Sequence, residues 1–188
     1  MTKEIIVEIE GTSPLLMNKY NVERELQRQK GKRINKVYDS EEEAELSAYW
    51  GSGKKKELII PSGIIYAAIL NASSFHKIGK RSAKSILAGS LRVQGMDGSE
   101  EISLGTDTYA IDVRPVVISR ARILKSRAKL DKWKAQFKIL YNENAIADGD
   151  MIKPVLTEAG IRIGIMDFRP TKSGYYGCFK VNSWKVVD

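Results

Sequence analysis

The chain has one cysteine, Cys178, and one histidine, His76, in 188 residues. A single cysteine cannot close an intramolecular disulfide, which fits a reducing, cytoplasmic setting. One cysteine and one histidine cannot furnish the usual four-ligand zinc set, so neither a metal nor a cofactor is expected. No apolar run approaches the roughly 18–20 residues that cross a bilayer, and no membrane partner is expected. The opening residues, MTKEIIVEIEG, carry acids inside their apolar stretch and read as a strand, not as a signal peptide. The GxxxxGK[ST] spacing of a phosphate-binding loop is absent. No paired-carboxylate or Ser/His/Asp arrangement is visible, so the expectation is a non-enzymatic protein.

What the chain does have is positive charge in one place. Lysine and arginine number 31 against 23 acids, a net charge of +8. Residues 114–138 alone hold nine bases: Arg114, Arg120, Arg122, Lys125, Arg127, Lys129, Lys132, Lys134 and Lys138. They hold one acid, Asp131, and nine minus one is again +8. The segment alternates like a β-hairpin. Arg120 and Arg122 share a face of its first arm. On its second arm Trp133, Ala135, Phe137, Ile139 and Tyr141 oppose Lys134, Gln136 and Lys138. Residues 125–132 are expected to form the loop or a flexible tongue. A basic sheet face flanked by aromatics is the footprint of a nucleic-acid binder; the plainer alternative is a solvated charged hairpin.

The rest of the chain has the composition of one globular domain, with 43% hydrophobic residues. Ile5, Val7 and Ile9 alternate with acids and predict a strand with one buried face. Residues 21–56 read as a charged helical insertion, built from VERELQRQK and SEEEAELSAYW, with a capping box of Ser40 and Glu43. Glu57–Ile60 predicts a short strand, and Ser62 is placed to cap the apolar helix that follows. Lys77, Lys80 and Arg81 cluster after that helix. A hairpin, a short helix at 150–163 and a last strand complete the order. The fold class expected is α+β: a ferredoxin-like or RRM-like antiparallel sheet over residues 1–188, with helices on one face, a β-hairpin extension and the helical insertion.

A second segment, GIRIGIMDFRPTKSGYYGCFKV, is punctuated by glycines with Arg162, Arg169, Lys172, Tyr175 and Tyr176 between them. Its glycines follow a helix and precede a strand, which rules out a dinucleotide fingerprint. Glycines let backbone approach a ligand, bases meet phosphates, and tyrosines stack on unpaired bases. Adjacent tyrosines in extended backbone point opposite ways, so at most one should stack while the other packs inward. The alternative is an ordinary loop with core tyrosines.

Three features together resemble the RAMP superfamily: Glu10–Gly11 after the first strand, Ile60–Pro61–Ser62–Gly63 opening a helix, and the Gly164–Gly177 loop before the last strand. These are the RRM-like proteins of CRISPR effector complexes, including Cas7-type backbone subunits. Gly164, Phe168, Arg169, Pro170, Gly177 and Phe179 are similar to a motif of small phage- or prophage-encoded members. The resemblance implies a Cas7-like fold that binds single-stranded RNA or DNA. It further implies a homo-oligomer or filament, or other effector-complex subunits as partners, in a bacterial, archaeal or phage-infected cell. RAMP-type RNA processors often use a histidine, and His76 beside Lys77, Lys80 and Arg81 is the candidate for an endoribonuclease. Its alternative is a histidine favoured by a helix C-terminus. A phage assembly protein is the third reading.

Overall fold

A computed structural model describes residues 1–22, 26, 29–30, 38–118 and 120–187. In chain order the strands are β1 (Thr2–Gly11), β2 (Leu15–Leu16), β3 (Ile59–Pro61), β4 (Lys77–Ile78), β5 (Arg81–Ser82), β6 (Leu91–Gln94), β7 (Glu101–Ser103), β8 (Ala110–Ile118), β9 (Ala121–Leu130), β10 (Lys134–Asn142) and β11 (Phe179–Val187). The helices are α1 (Ser40–Ser47), α2 (Ser62–Ala72), α3 (Ala83–Ser90) and α4 (Ile152–Glu158), the last continued by a π turn over Ala159–Ile163.

The main sheet has the order β11-β1-β10-β6, and every neighbouring pair is antiparallel. Taking β1, α2, β6, β10, α4 and β11 as a βαββαβ unit, that order is 4-1-3-2. The fold is therefore α+β with the ferredoxin-like strand arrangement. One face is the core. Ile5, Val7 and Ile9 of β1 lie beside Phe137 and Ile139 of β10, all fully buried. Ile65 and Ile69 of α2, with Ile152 and Leu156 of α4, belong to the same core cluster. Burying each such side chain is worth about 1.5–3 kcal/mol. Trp184 follows a register break opposite Glu8 and Ile9, where β11 carries one extra residue as a bulge. Gly11 is needed for space: a Cβ there would lie 2.1 Å from the Trp133 indole, whose Nε1 donates to the Ser13 carbonyl.

The basic segment folds differently from its expected form. The hairpin is β8–β9, with Ile118 opposite Ala121. Residues 125–130 are strand and not loop, and the arm at 134–142 is β10, inside the main sheet. The period-2 pattern was right in both places. The pairing differs because β10 buries its apolar face in the core, which a free ribbon cannot offer.

Two caps also differ. Asp39, and not Ser40, caps α1, accepting from the Glu41 and Glu42 amides at 2.9 and 3.1 Å. Ser62 is the first residue of α2 and makes no capping bond; Pro61 precedes it. The first helix expected in the insertion, VERELQRQK, falls mostly outside the described residues. The second helix, α1, packs on the ribbon of its own chain. Glu43 Oε2 and Ser47 Oγ accept from the Ser126 and Ala128 amides, each at 2.8 Å. Those amides lie on the β9 edge beyond the two residues of β2, so α1 satisfies an otherwise unpaired strand edge.

Candidate nucleic-acid interface

The site grows from the base of the β8–β9 ribbon. Asp112 lies opposite Arg127, and Arg114 opposite Lys125, so these four side chains share one ribbon face. That face meets the glycine-rich loop. Arg114 pairs with Asp112: its Nε and Nη2 both donate to Oδ2, at 3.0 and 2.9 Å. Its Nη2 also donates to the Tyr176 hydroxyl at 2.6 Å. Burial works against the Arg114 charge, but its bonds to Asp112 and Tyr176 outweigh this and hold the guanidinium above its ordinary pKa. Arg127 is buried, 7% exposed, and pairs with Asp167, which also accepts from Asn18 Nδ2. Asp167 thus locks the loop to Arg127, while Arg169 donates to the Met166 carbonyl and the Thr171 hydroxyl.

Above Arg114 three rings meet edge to face. Phe168, Tyr175 and Tyr176 have centroids 5.0–5.4 Å apart, and the Arg114 guanidinium sits 5.1 Å from Phe168 and 5.0 Å from Tyr176. Such contacts fix ring orientation as well as adding energy. The two adjacent tyrosines take opposite roles in burial. Tyr176 is 7% exposed and Tyr175 is 64% exposed. The loop holding them is sharply folded. Met166, Phe168 and Ser173 all have positive φ, at 63°, 52° and 58°. Gly177 also has positive φ, and a Cβ there would lie 1.9 Å from the Ile165 carbonyl oxygen. Residues held in such conformations cluster at functional sites.

Beside the loop runs a groove of about 270 Å³ between the loop and α2. Ile64, Ala67 and Asn71 of α2 form one wall, and Met166, Asp167 and Arg169 the other. Tyr49 closes an end, and burial followed by the Asp167 charge raises its hydroxyl pKa. Ala68, though buried, lines the groove together with Ile64, Ala67 and Asn71.

The bases proposed from sequence fall into three groups. Arg120, Arg122, Lys125, Lys132 and Lys172 make no ion pair among the described residues, and all but the half-buried Lys125 are exposed. Lys77, Lys80 and Arg81 are likewise exposed and unpaired, on a separate hairpin. The others have partners. Lys129 holds Asp131 at 3.0 Å, and that bond raises its pKa. Lys134 lies 3.6 Å from Glu10, Lys138 lies 3.3 Å from Glu4, and Arg162 holds Glu158 at 2.7 Å. The open face of the main sheet thus carries paired charges and no aromatic ring from β1 or β10. His76 Nε2 is buried with no hydrogen-bond partner among the described residues. Among the described residues no three His, Cys, Asp or Glu side chains gather as a metal site.

The sequence did not point to Asn18, Tyr49 or Phe75. Asn18 and Tyr49 reach the groove only through long-range packing. Phe75 was visible as an aromatic between serines and bases.

No family model matches this chain, and no curated protein does. Among solved structures, a chain of a CRISPR RNA-guided surveillance complex aligns with 94% of it at 9% identity and a TM-score of 0.39. The alignment spans 66% of that chain, just under two thirds of its length. The ferredoxin-like arrangement stands on the strand order and directions.

Proposed function

We propose that this chain is a non-enzymatic, Cas7-like binder of single-stranded nucleic acid, with the ribbon and the glycine-rich loop as its contact surface. One observation carries the reading: the exposed Tyr175 ring, backed by Phe168 and Tyr176, stands beside a ribbon whose Arg120, Arg122 and Lys125 have no ion-pair partner among the described residues. An aromatic ring held rigid next to free cations suits a base and its phosphates. Arg114 and Arg127 are occupied internally and set the geometry, so they position the surface and do not bind.

The ribbon tip supports assembly of several copies along one strand. Val117, Ile123 and Leu124 are 68%, 43% and 52% exposed, apolar area that a neighbouring subunit would cover. Fluorescence anisotropy with labelled single-stranded RNA and DNA, over a series of salt concentrations, tests binding. Affinity should fall steeply with salt, because phosphate contacts release counterions. Light scattering on a long strand reads the stoichiometry. Salt-independent or absent binding would remove the reading.

A further inference from the structure

The charge outside residues 114–138 is neutral only in sum. No acid occurs between Glu57 and Asp97, a stretch that holds Lys77, Lys80, Arg81, Lys84 and Arg92. The first four sit together. β4 and β5 form a small hairpin with Gly79 and Lys80 at its turn, and Lys84 lies in the first turn of α3. All four are exposed and make no ion pair among the described residues.

Phe75 lies immediately before this hairpin and is 57% exposed. The Arg162 guanidinium is 5.1 Å from its ring, and Arg162 is itself held by Glu158. A large exposed aromatic, fixed by a cation on one side and bordered by four free cations, has no role in the core. The patch is also continuous with the groove. Asn71 of α2 lines the groove and lies one helical turn before Phe75. Ile163, next to Arg162, lines it from the other wall.

We infer that Phe75 with Lys77, Lys80, Arg81 and Lys84 forms a second contact for single-stranded nucleic acid. A base stacks on Phe75, and the flanking phosphates meet the lysines and Arg81. The strand then runs from Tyr175, along the groove beside α2, to the end of that helix. Charge complementarity selects a polyanion, and the ring selects one with unpaired planar bases over polyphosphate or an acidic peptide. The inference rests on the function proposed above and extends the surface it uses.

The full-length protein is tested with two oligonucleotides. One is short enough to occupy only the Tyr175 end, and the other is long enough to pass α2. Phe75→Ala should weaken the long strand roughly five-fold or more and leave the short one unchanged, since stacking is worth about 1 kcal/mol or more per base. Phe75→Trp should restore the long-strand affinity. Replacing Lys77, Lys80 and Arg81 together by Ala should lower the salt slope for the long strand by about 2, at roughly 0.7 per phosphate. These are surface positions, and an unchanged melting temperature confirms that each variant folds. Wild-type affinity on both strands decides the function proposed above; the variants decide the second contact. If Phe75→Ala binds the long strand as wild type does, stacking at Phe75 is overturned. If the charge variant also keeps its slope, the whole patch is overturned while binding at Tyr175 stands. If the charge variant weakens polyphosphate and the long strand equally while Phe75→Ala changes neither, the patch is an anion site only and the inference fails.

Discussion

The open face of the main sheet and the β8–β9 ribbon are built from the same residue types, yet they handle charge in opposite ways. On the sheet face every lysine opposite an acid is answered. Glu10 meets Lys134 and Lys180, Glu4 meets Lys138, and Asn182 donates to Glu10 at 2.9 Å. On the ribbon, the acid and the arginines at the base are consumed internally, and the cations beyond it are left over. Net charge read from a segment therefore does not separate paired cations from unpaired ones. The charge that remains after cross-strand pairing does. By that measure Lys134 and Lys138 belong to the sheet, and under the function proposed above Arg120, Arg122 and Lys125 are left for the partner.

The comparison is broken most sharply by removing one cation from each region. Arg127 is buried against Asp167, so Arg127→Ala should cost about 3 kcal/mol by leaving a carboxylate without its partner. Lys138→Ala, at a partly exposed pair, should cost no more than about 1 kcal/mol. Urea unfolding of both variants gives the two values, and similar losses would show that the ribbon base is no more committed than the sheet face. Binding should rank the other way. Replacing Arg120, Arg122 and Lys125 by Ala should lower the salt slope by about 2, whereas replacing Lys134, Lys138 and Lys180 should leave it unchanged. An equal drop from both triples would make the sheet face part of the contact surface.

Local patterns carried the fold a long way. The alternation in β1 and at 133–141 and the apolar helix after Pro61 were visible in the sequence, because period and turn chemistry are local. The hairpin partners were not. Residues 121–130 and 134–142 have similar alternation, and only the core decides that the second pairs with β1. The cap at Asp39 escaped because Ser40 one residue later fits the same motif. Of the site, one tyrosine is exposed and its neighbour buried as expected, but their rings meet edge to face at 5.0 Å instead of pointing opposite ways, because the loop is sharply folded there and not an extended strand. The pairing of Asp167 with Arg127 joins residues 40 positions apart, and no local signal announces it.

The glycine-rich loop sharpens the comparison at the level of one ring. Tyr175→Ala should weaken binding by about 1–3 kcal/mol with little change in melting temperature, and Tyr175→Phe should bind like wild type. Tyr176→Phe removes the hydroxyl that Arg114 reaches, so it should lower stability by roughly 1 kcal/mol before it touches affinity. If the two alanine-scale effects are reversed, with Tyr176 governing affinity and Tyr175 stability, the exposed ring is not the stacking one.

The smallest effect belongs to the sheet face, and it is read by pH. Asn182 and Lys180, with Lys134 nearby, hold the Glu10 carboxyl down from 4.5 to about 2. A carboxylate whose pKa is depressed on folding adds stability above its unfolded value, and that stability is lost as pH falls through the folded value. The Glu10 contribution should therefore be whole above about pH 4.5 and vanish near pH 2. Because Glu10 stands in solvent, high salt should shrink it at every pH. Glu10→Gln keeps the shape and a hydrogen-bond acceptor but removes the charge. Its melting temperature should lie slightly below wild type at neutral pH and converge with it near pH 2. Nucleic-acid affinity should not fall at neutral pH, because the freed Lys134 and Lys180 gain no ring to work beside. Melting curves that stay parallel down to acid would show that the pairs on this face contribute nothing to stability. A marked rise in affinity would show that Glu10 had been masking a contact surface, and the division between sheet and ribbon would then have to be redrawn.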